Sequence, residues 1–197
     1  MLAEGRRVET RVLHEDEEIL TAVRTVDPAL VSIDAPLSLP LGRRSLEVRG
    51  PPHLRGCDRE LLARRIRFFP VTLGPMRLLT ARGIRLKDQF EREGRLVVES
   101  YPGAAQDIVG LPRKGQGVER LRRALRERGF WGTIEHRSVT HDELDAVLCA
   151  WVGRLVVQGR AELIGDPREG LMALPRHADQ LRAIAPPPRL PGRSTRS

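Results

Sequence analysis

The sequence predicts an α/β fold, a sheet covered by helices, on three observations. Two apolar runs, Leu30 to Ile33 and Leu96 to Val98, are too short for helices and too uniformly apolar for a solvent face, which is the pattern of strands buried on both sides. Each run ends in an acid with a proline close behind, Asp34 before Pro36 and Glu99 before Pro102. Stretches of helical period precede, separate and follow them, the last containing the strongly apolar Ala146 to Val152. Helices alternating with buried strands build a layered sheet.

Taken in order, Glu4 to Leu13 alternate weakly at Val8, Thr10 and Val12, and predict the second arm of a hairpin whose first arm is nearly absent. Glu15 to Glu18 load a helix N-terminus with negative charge, Ile19, Leu20, Val23 and Val26 supply the helix's buried stripe, and Asp27-Pro28 stops it. Pro36 cannot donate a ladder hydrogen bond and holds Ala35 extended, so the strand of Leu30 to Ile33 ends with Asp34 at its carboxyl edge. In open α/β sheets ligands bind at that edge; an Asp there also caps turns.

Leu37 to Gly56 is a loop rich in Pro and Gly that carries Arg43, Arg44, Arg49 and Arg55. A loop of this length in a compact domain is functional or mobile, so its arginines either clamp a polyanion near Asp34 or form a solvated lid. Asp58 to Arg67 predict a short helix, and Pro75 begins a longer one with Met76, Leu79, Leu86 and Phe90 facing inward, which Gly83 divides in two. The second buried strand delivers Glu99. After Gly117 comes a basic amphipathic helix ended by Gly129, its arginines a solvated face. Thr140 and Glu143 form a capping box that opens the last main helix. Two short strands, Ala161 to Ile164 and Leu171 to Leu174, then make a surface hairpin.

The 197 residues suit one domain, residues 1–175, followed by a basic, Pro-rich, disordered tail, residues 176–197. The net charge is +8, half of it in that tail, and all the cations are Arg except Lys87 and Lys114. Guanidinium groups match phosphate oxygens, although a coding bias also produces such an excess. Cys57 and Cys149 lie too far apart in sequence for a disulfide framework or a metal-ligand spacing, and both read as reduced and buried. No apolar run approaches a membrane span and no leader opens the chain, so the sequence predicts a cytoplasmic protein with no membrane partner.

Asp145 stands apart from the capping acids. It lies one turn into its helix, where compensation of the dipole fades, and apolar residues follow it. An acid at the buried start of such a helix needs a partner, and a metal ion would also explain Asp34 and Glu99. Three carboxylates from two strand ends and a helix start supply the hard oxygen ligands of a Mg²⁺ or Mn²⁺ site for phosphodiester chemistry.

The motifs Ser32-Ile33-Asp34-Ala35-Pro36-Leu37, Arg55-Gly56-Cys57-Asp58-Arg59, Glu99-Ser100-Tyr101-Pro102-Gly103-Ala104, His141-Asp142-Glu143-Leu144-Asp145-Ala146 and Gly165-Asp166-Pro167 resemble those of the "domain of unknown function 429" family of predicted nucleases. The resemblance implies an RNase H-like mixed sheet flanked by helices, in which metal-bound acids hydrolyse nucleic acid. It implies Asp34, Glu99 and Asp145 as catalytic metal ligands, with Asp58, His141 and Asp142 as additional candidates. Arg43, Arg44 and Arg55 are the candidates for substrate binding. Relatives begin with a further strand that bears an Asp, and this chain starts inside the hairpin arm that follows, so the fold is expected to lack its first strand, through a late start or a truncation. The expected function is a metal-dependent nuclease; the alternative is a non-catalytic domain that binds nucleic acid or serves as a scaffold.

Overall fold

A computed structural model of the chain describes residues 2–3 and 6–176. The predicted tail, apart from Arg176, lies outside them. The order is β1 (Leu2–Ala3), β2 (Arg7–Val8), α1 (Asp16–Val26), β3 (Val31–Ile33), α2 (Gly56–Ala63), α3 (Gly74–Arg92), β4 (Val97–Ser100), α4 (Pro102–Val109), a 3-10 turn (Lys114–Gln116), α5 (Val118–Glu127), β5 (Trp131–Gly132), α6 (Thr133–His136), α7 (His141–Val157), β6 (Ala161–Ile164) and β7 (Met172–Pro175). The fold is α/β, as the alternation of patterns predicts.

The main sheet has the order β3-β4-β7-β6, with β3, β4 and β7 parallel and β6 antiparallel to β7. The hairpin expected at Ala161 to Leu174 therefore exists, but it is no surface feature: β7 lies between β4 and β6 and is buried along its length. A small second sheet pairs β1 with β2 and β2 with β5, so the expected N-terminal strand is two residues long and the chain from Glu9 runs on without a ladder.

Alternation along the strands assigns each side chain to a face. Val98 and Ala173 pack under α7 with Leu144, Leu148, Trp151 and Val152, and α4 and α5 complete this layer through Ala105, Leu121 and Leu125. Val31, Ile33 and Val97 point the other way, onto Leu86 and Phe90 of α3 and Leu20 of α1. Met172 and Leu174 share that side with Cys57 and Leu61 of α2. Both cysteines are free and buried, as expected.

Two glycines set the spacing of these layers. Gly83 does not divide α3, which is continuous; a Cβ there would lie 2.9 Å from the Cβ of Ala35 and from the carbonyl oxygen of Pro36, so the glycine lets the helix press against the turn that follows β3. Gly153 does the same for α7, where a Cβ would meet Leu30 Cδ2 at 2.9 Å and Ser32 Cβ at 3.1 Å.

β3 departs from the expected doubly buried strand. Among the described residues it pairs with β4 alone, and Val31, Ser32 and Ile33 are only half-buried. Its open side faces a groove of about 1060 Å³, walled by α1 and α7, with Asp34 and Asp142 among its lining residues.

Candidate functional site

Asp34 is placed by the end of β3. Ile33 is held under α3, so the next residue turns toward α7, and Asp34 comes within the electrostatic field of Asp145. Asp145 projects from the second turn of α7. That helix is fixed at its start by the predicted capping box: Thr140 Oγ1 accepts from the Glu143 N–H at 3.2 Å, and Glu143 Oε2 accepts from the Thr140 N–H at 3.0 Å. Glu143 also accepts from Thr10 Oγ1 at 2.7 Å and pairs with Arg137, so its charge is fully engaged.

Asp34 and Asp145 have no comparable partners. Among the described residues Asp34 accepts no hydrogen bond and forms no ion pair, and Asp145 receives one amide, Gln106 Nε2 at 3.3 Å. Asp34 keeps solvent access at the groove, yet the protein around it excludes enough water to push its carboxyl up to about 7; the charge of Asp145 adds to this, Lys114 opposes it, and Asp142 and Glu99 add smaller repulsions. Burial also raises Asp145, with Asp142 adding to the shift and Lys114, His141 and Gln106 opposing it. Cys149, one turn beyond Asp145, feels both acids, and its thiol is raised well above the usual range chiefly by burial.

Glu99 is not with them. The ladder pairs Ile33 with Glu99, and paired residues share a face, so Glu99 leaves β4 on the side of α2 and α3 while Asp34 turns to α7. There it meets Arg55, which donates from Nη1 to Glu99 Oε2 at 2.6 Å and from Nη2 to Oε1 at 2.8 Å. The same guanidinium holds Asp58 through Nε and Nη2, at 3.2 and 3.0 Å. Glu99 Oε2 further accepts from the Leu37 N–H at 2.8 Å. Burial works against the Arg55 charge, but the two carboxylates outweigh it and raise its pKa. As the side chains stand, Glu99 and Asp58 are members of a buried ion cluster rather than free ligands.

The loop arginines divide in the same way. Arg43, expected to bind substrate, is buried and donates to the carbonyl oxygens of Gly50 and Pro52, at 2.8 and 2.9 Å, and of Val48. It serves the loop's own shape, as Arg55 serves the core, while Arg44 is exposed. The Gly165-Asp166-Pro167 motif is also architectural: a Cβ on Gly56 would lie 2.7 Å from the Asp166 nitrogen, and Glu169 accepts from the N–H groups of Leu41, at 2.6 Å, and Gly56.

Of the additional candidates, Asp142 stands at the rim and pairs with Lys114 at 3.1 Å, and His141 lies close enough to Asp145 to oppose part of the rise of its carboxyl, while its own Nδ1 is buried without a partner among the described residues. Gln106 and Lys114 were not foreseen. Gln106 closes a run, Pro102 to Gln106, in which every residue is buried, and Lys114 is one of two lysines in an arginine-rich chain.

The donor chemistry limits the metal such a site can hold. Among the described residues no group of three or more His, Cys, Asp or Glu side chains is placed to hold a metal ion. Two unpaired carboxylates do fit Mg²⁺, which keeps several waters and is commonly held by one or two carboxylates with substrate phosphate.

A family model described as "Protein of unknown function (DUF429)" matches residues 1–170. No curated protein and no solved structure matches the chain. No helix among the described residues is long and apolar enough to cross a membrane.

Proposed function

The chain belongs to the DUF429 family, and we propose that it is a metal-dependent nuclease that hydrolyses nucleic-acid phosphodiester bonds at Asp34 and Asp145. The observation that carries the reading is the pairing of these acids: they come from different elements, face one another's charge, and lack the basic partners that neutralise Glu99 and Glu143. Two like charges held near one another in partly desolvated surroundings repel, and a divalent cation is a counter-ion that also has a use. Bound there, Mg²⁺ or Mn²⁺ supplies a Lewis acid that lowers the pKa of water and offsets phosphate charge.

The rest is done by the chain. β3, locked by Gly83 and Gly153, fixes Asp34; Gln106 orients Asp145; the capping box fixes the start of α7. A parallel β3-β4-β7 core with antiparallel β6, helices on both faces and an acid at a strand's carboxyl edge supports an RNase H-like reading of the α/β fold. The commitment of Glu99 to Arg55 supports the second reading, a non-catalytic nucleic-acid-binding domain, because it leaves two free carboxylates instead of three.

Mn²⁺ titration by calorimetry, with cleavage of labelled DNA and RNA oligonucleotides, tests the proposal. Wild type should bind Mn²⁺ and cleave, and Asp34→Asn and Asp145→Asn should each weaken binding and abolish cleavage. Metal binding unchanged in both variants would overturn the site. Oligonucleotide binding without cleavage at any Mn²⁺ concentration would select the second reading.

A further inference from the structure

Two adjacent cations on the loop between α4 and α5 have opposite fates. Arg113 is built in: its Nε and Nη2 clasp both oxygens of Asp107, at 2.7 and 2.6 Å, and its guanidinium carbon lies 5.8 Å from the ring centroid of Tyr101. Gly103 makes the room for it, since a Cβ there would fall 1.9 Å from Arg113 Nη1. The loop is thereby pinned to α4 immediately before Lys114. Lys114 itself touches Asp142, with side chains 62% and 88% exposed, and a pair so open to water is worth little and breaks easily.

Its position is nonetheless specific. The Lys114 ammonium acts on Asp142 and Asp34, which line the groove, and on Asp145 beside them. A polyanion approaching these carboxylates meets repulsion, and a flexible ammonium on a pinned loop is what would receive it. Lysine suits this role because its charge is compact and its stem mobile, whereas the planar fork of Arg113 serves the fixed contact.

Building on the nuclease reading, we propose that Lys114 is the phosphate-binding residue of this site, parked on Asp142 in the free protein and transferred to a backbone phosphate of the nucleic acid on binding. Asp142 is its resting partner, and two glycines, Gly115 and Gly117, follow it closely in the chain. The assignment also makes Lys114 a competitor for the carboxylates before substrate arrives.

The test measures two quantities on the full chain, Mn²⁺ affinity by calorimetry and oligonucleotide affinity by fluorescence anisotropy across a salt series in Ca²⁺. Lys114→Ala should raise Mn²⁺ affinity several-fold, weaken oligonucleotide binding about tenfold or more, and reduce the slope of log affinity against log salt by about one, with the loss of cleavage falling on KM. Lys114→Arg should restore the salt slope. If wild type cleaves and Lys114→Ala matches it in KM and salt slope, the assignment to Lys114 is overturned and the nuclease reading stands. If wild type binds neither Mn²⁺ nor oligonucleotide, both are overturned together. A lowered melting temperature of Lys114→Ala with an unchanged salt slope would give the residue a purely structural role.

Discussion

Replacing Arg55 by Ala should destabilise the protein by about 3–5 kcal/mol, the usual cost of breaking a buried ion pair from one side. The side chain is 2% exposed and its two partners 3% and 4%, and among the described residues the only other donor to the Glu99 carboxylate is the Leu37 N–H. Without it, two buried carboxylates face each other in low dielectric and must take up protons, so the loss should be largest at alkaline pH and smaller near pH 5. In a domain of this size each kcal/mol moves Tm by about 2–4 °C, which translates to a fall of about 6–20 °C. Urea unfolding and thermal melts at two pH values measure it. The companion variant, Arg55→Met with Asp58→Asn and Glu99→Gln, removes all three charges and should recover most of the stability. A single variant that loses less than about 1 kcal/mol, or a triple variant as damaged as the single one, would refute this account of Arg55 and reopen a role for it at the substrate.

Two further outcomes follow from the geometry. In metal-free buffer the native state keeps a proton on Asp34 up to about pH 7, which the unfolded chain has released at its ordinary value near 4, so folding stability should fall as pH rises through that window and level off above it. Linkage alone would give about 4 kcal/mol, and the solvent access of Asp34 reduces this to about 1–2 kcal/mol; Asp34→Asn should flatten urea-derived stability between pH 5 and 8, and an unchanged slope in that variant would remove Asp34 as its source. Gly153→Ala should lower stability by about 1 kcal/mol, the contacts with Leu30 and Ser32 outweighing the better helix propensity of Ala, and a more stable variant would show that β3 yields to α7.

What the sequence made legible was local. The start of α7 was readable to the residue because a capping box lies within four positions, and the strand ends of Asp34 and Glu99 were readable from apolar runs meeting prolines. Glu99 was misjudged because its partner, Arg55, lies 44 residues away and no local pattern announces it. The alternation that puts Glu99 and Asp34 on opposite faces depends on the β3-β4 register, which is fixed by pairing rather than by either strand. No helix is expected between Glu99 and Gly117, yet Pro102 takes the first position of α4, where its missing N–H costs nothing. The central place of β7 is likewise a property of topology.

That placement of β7 has a consequence for how the molecule is made. Residues 172–175 occupy the space between β4 and β6, so β3, β4 and most of α7 are made before the strand that joins β4 to β6. Until then the β4 edge carries free amide groups beside apolar side chains, and the nascent protein is a set of helices around a half-built sheet. Closure is thus a long-range event, and the Asp34 edge reaches its final rigidity only when β7, made more than 70 residues after β4, slides in beside Glu99 and Ser100.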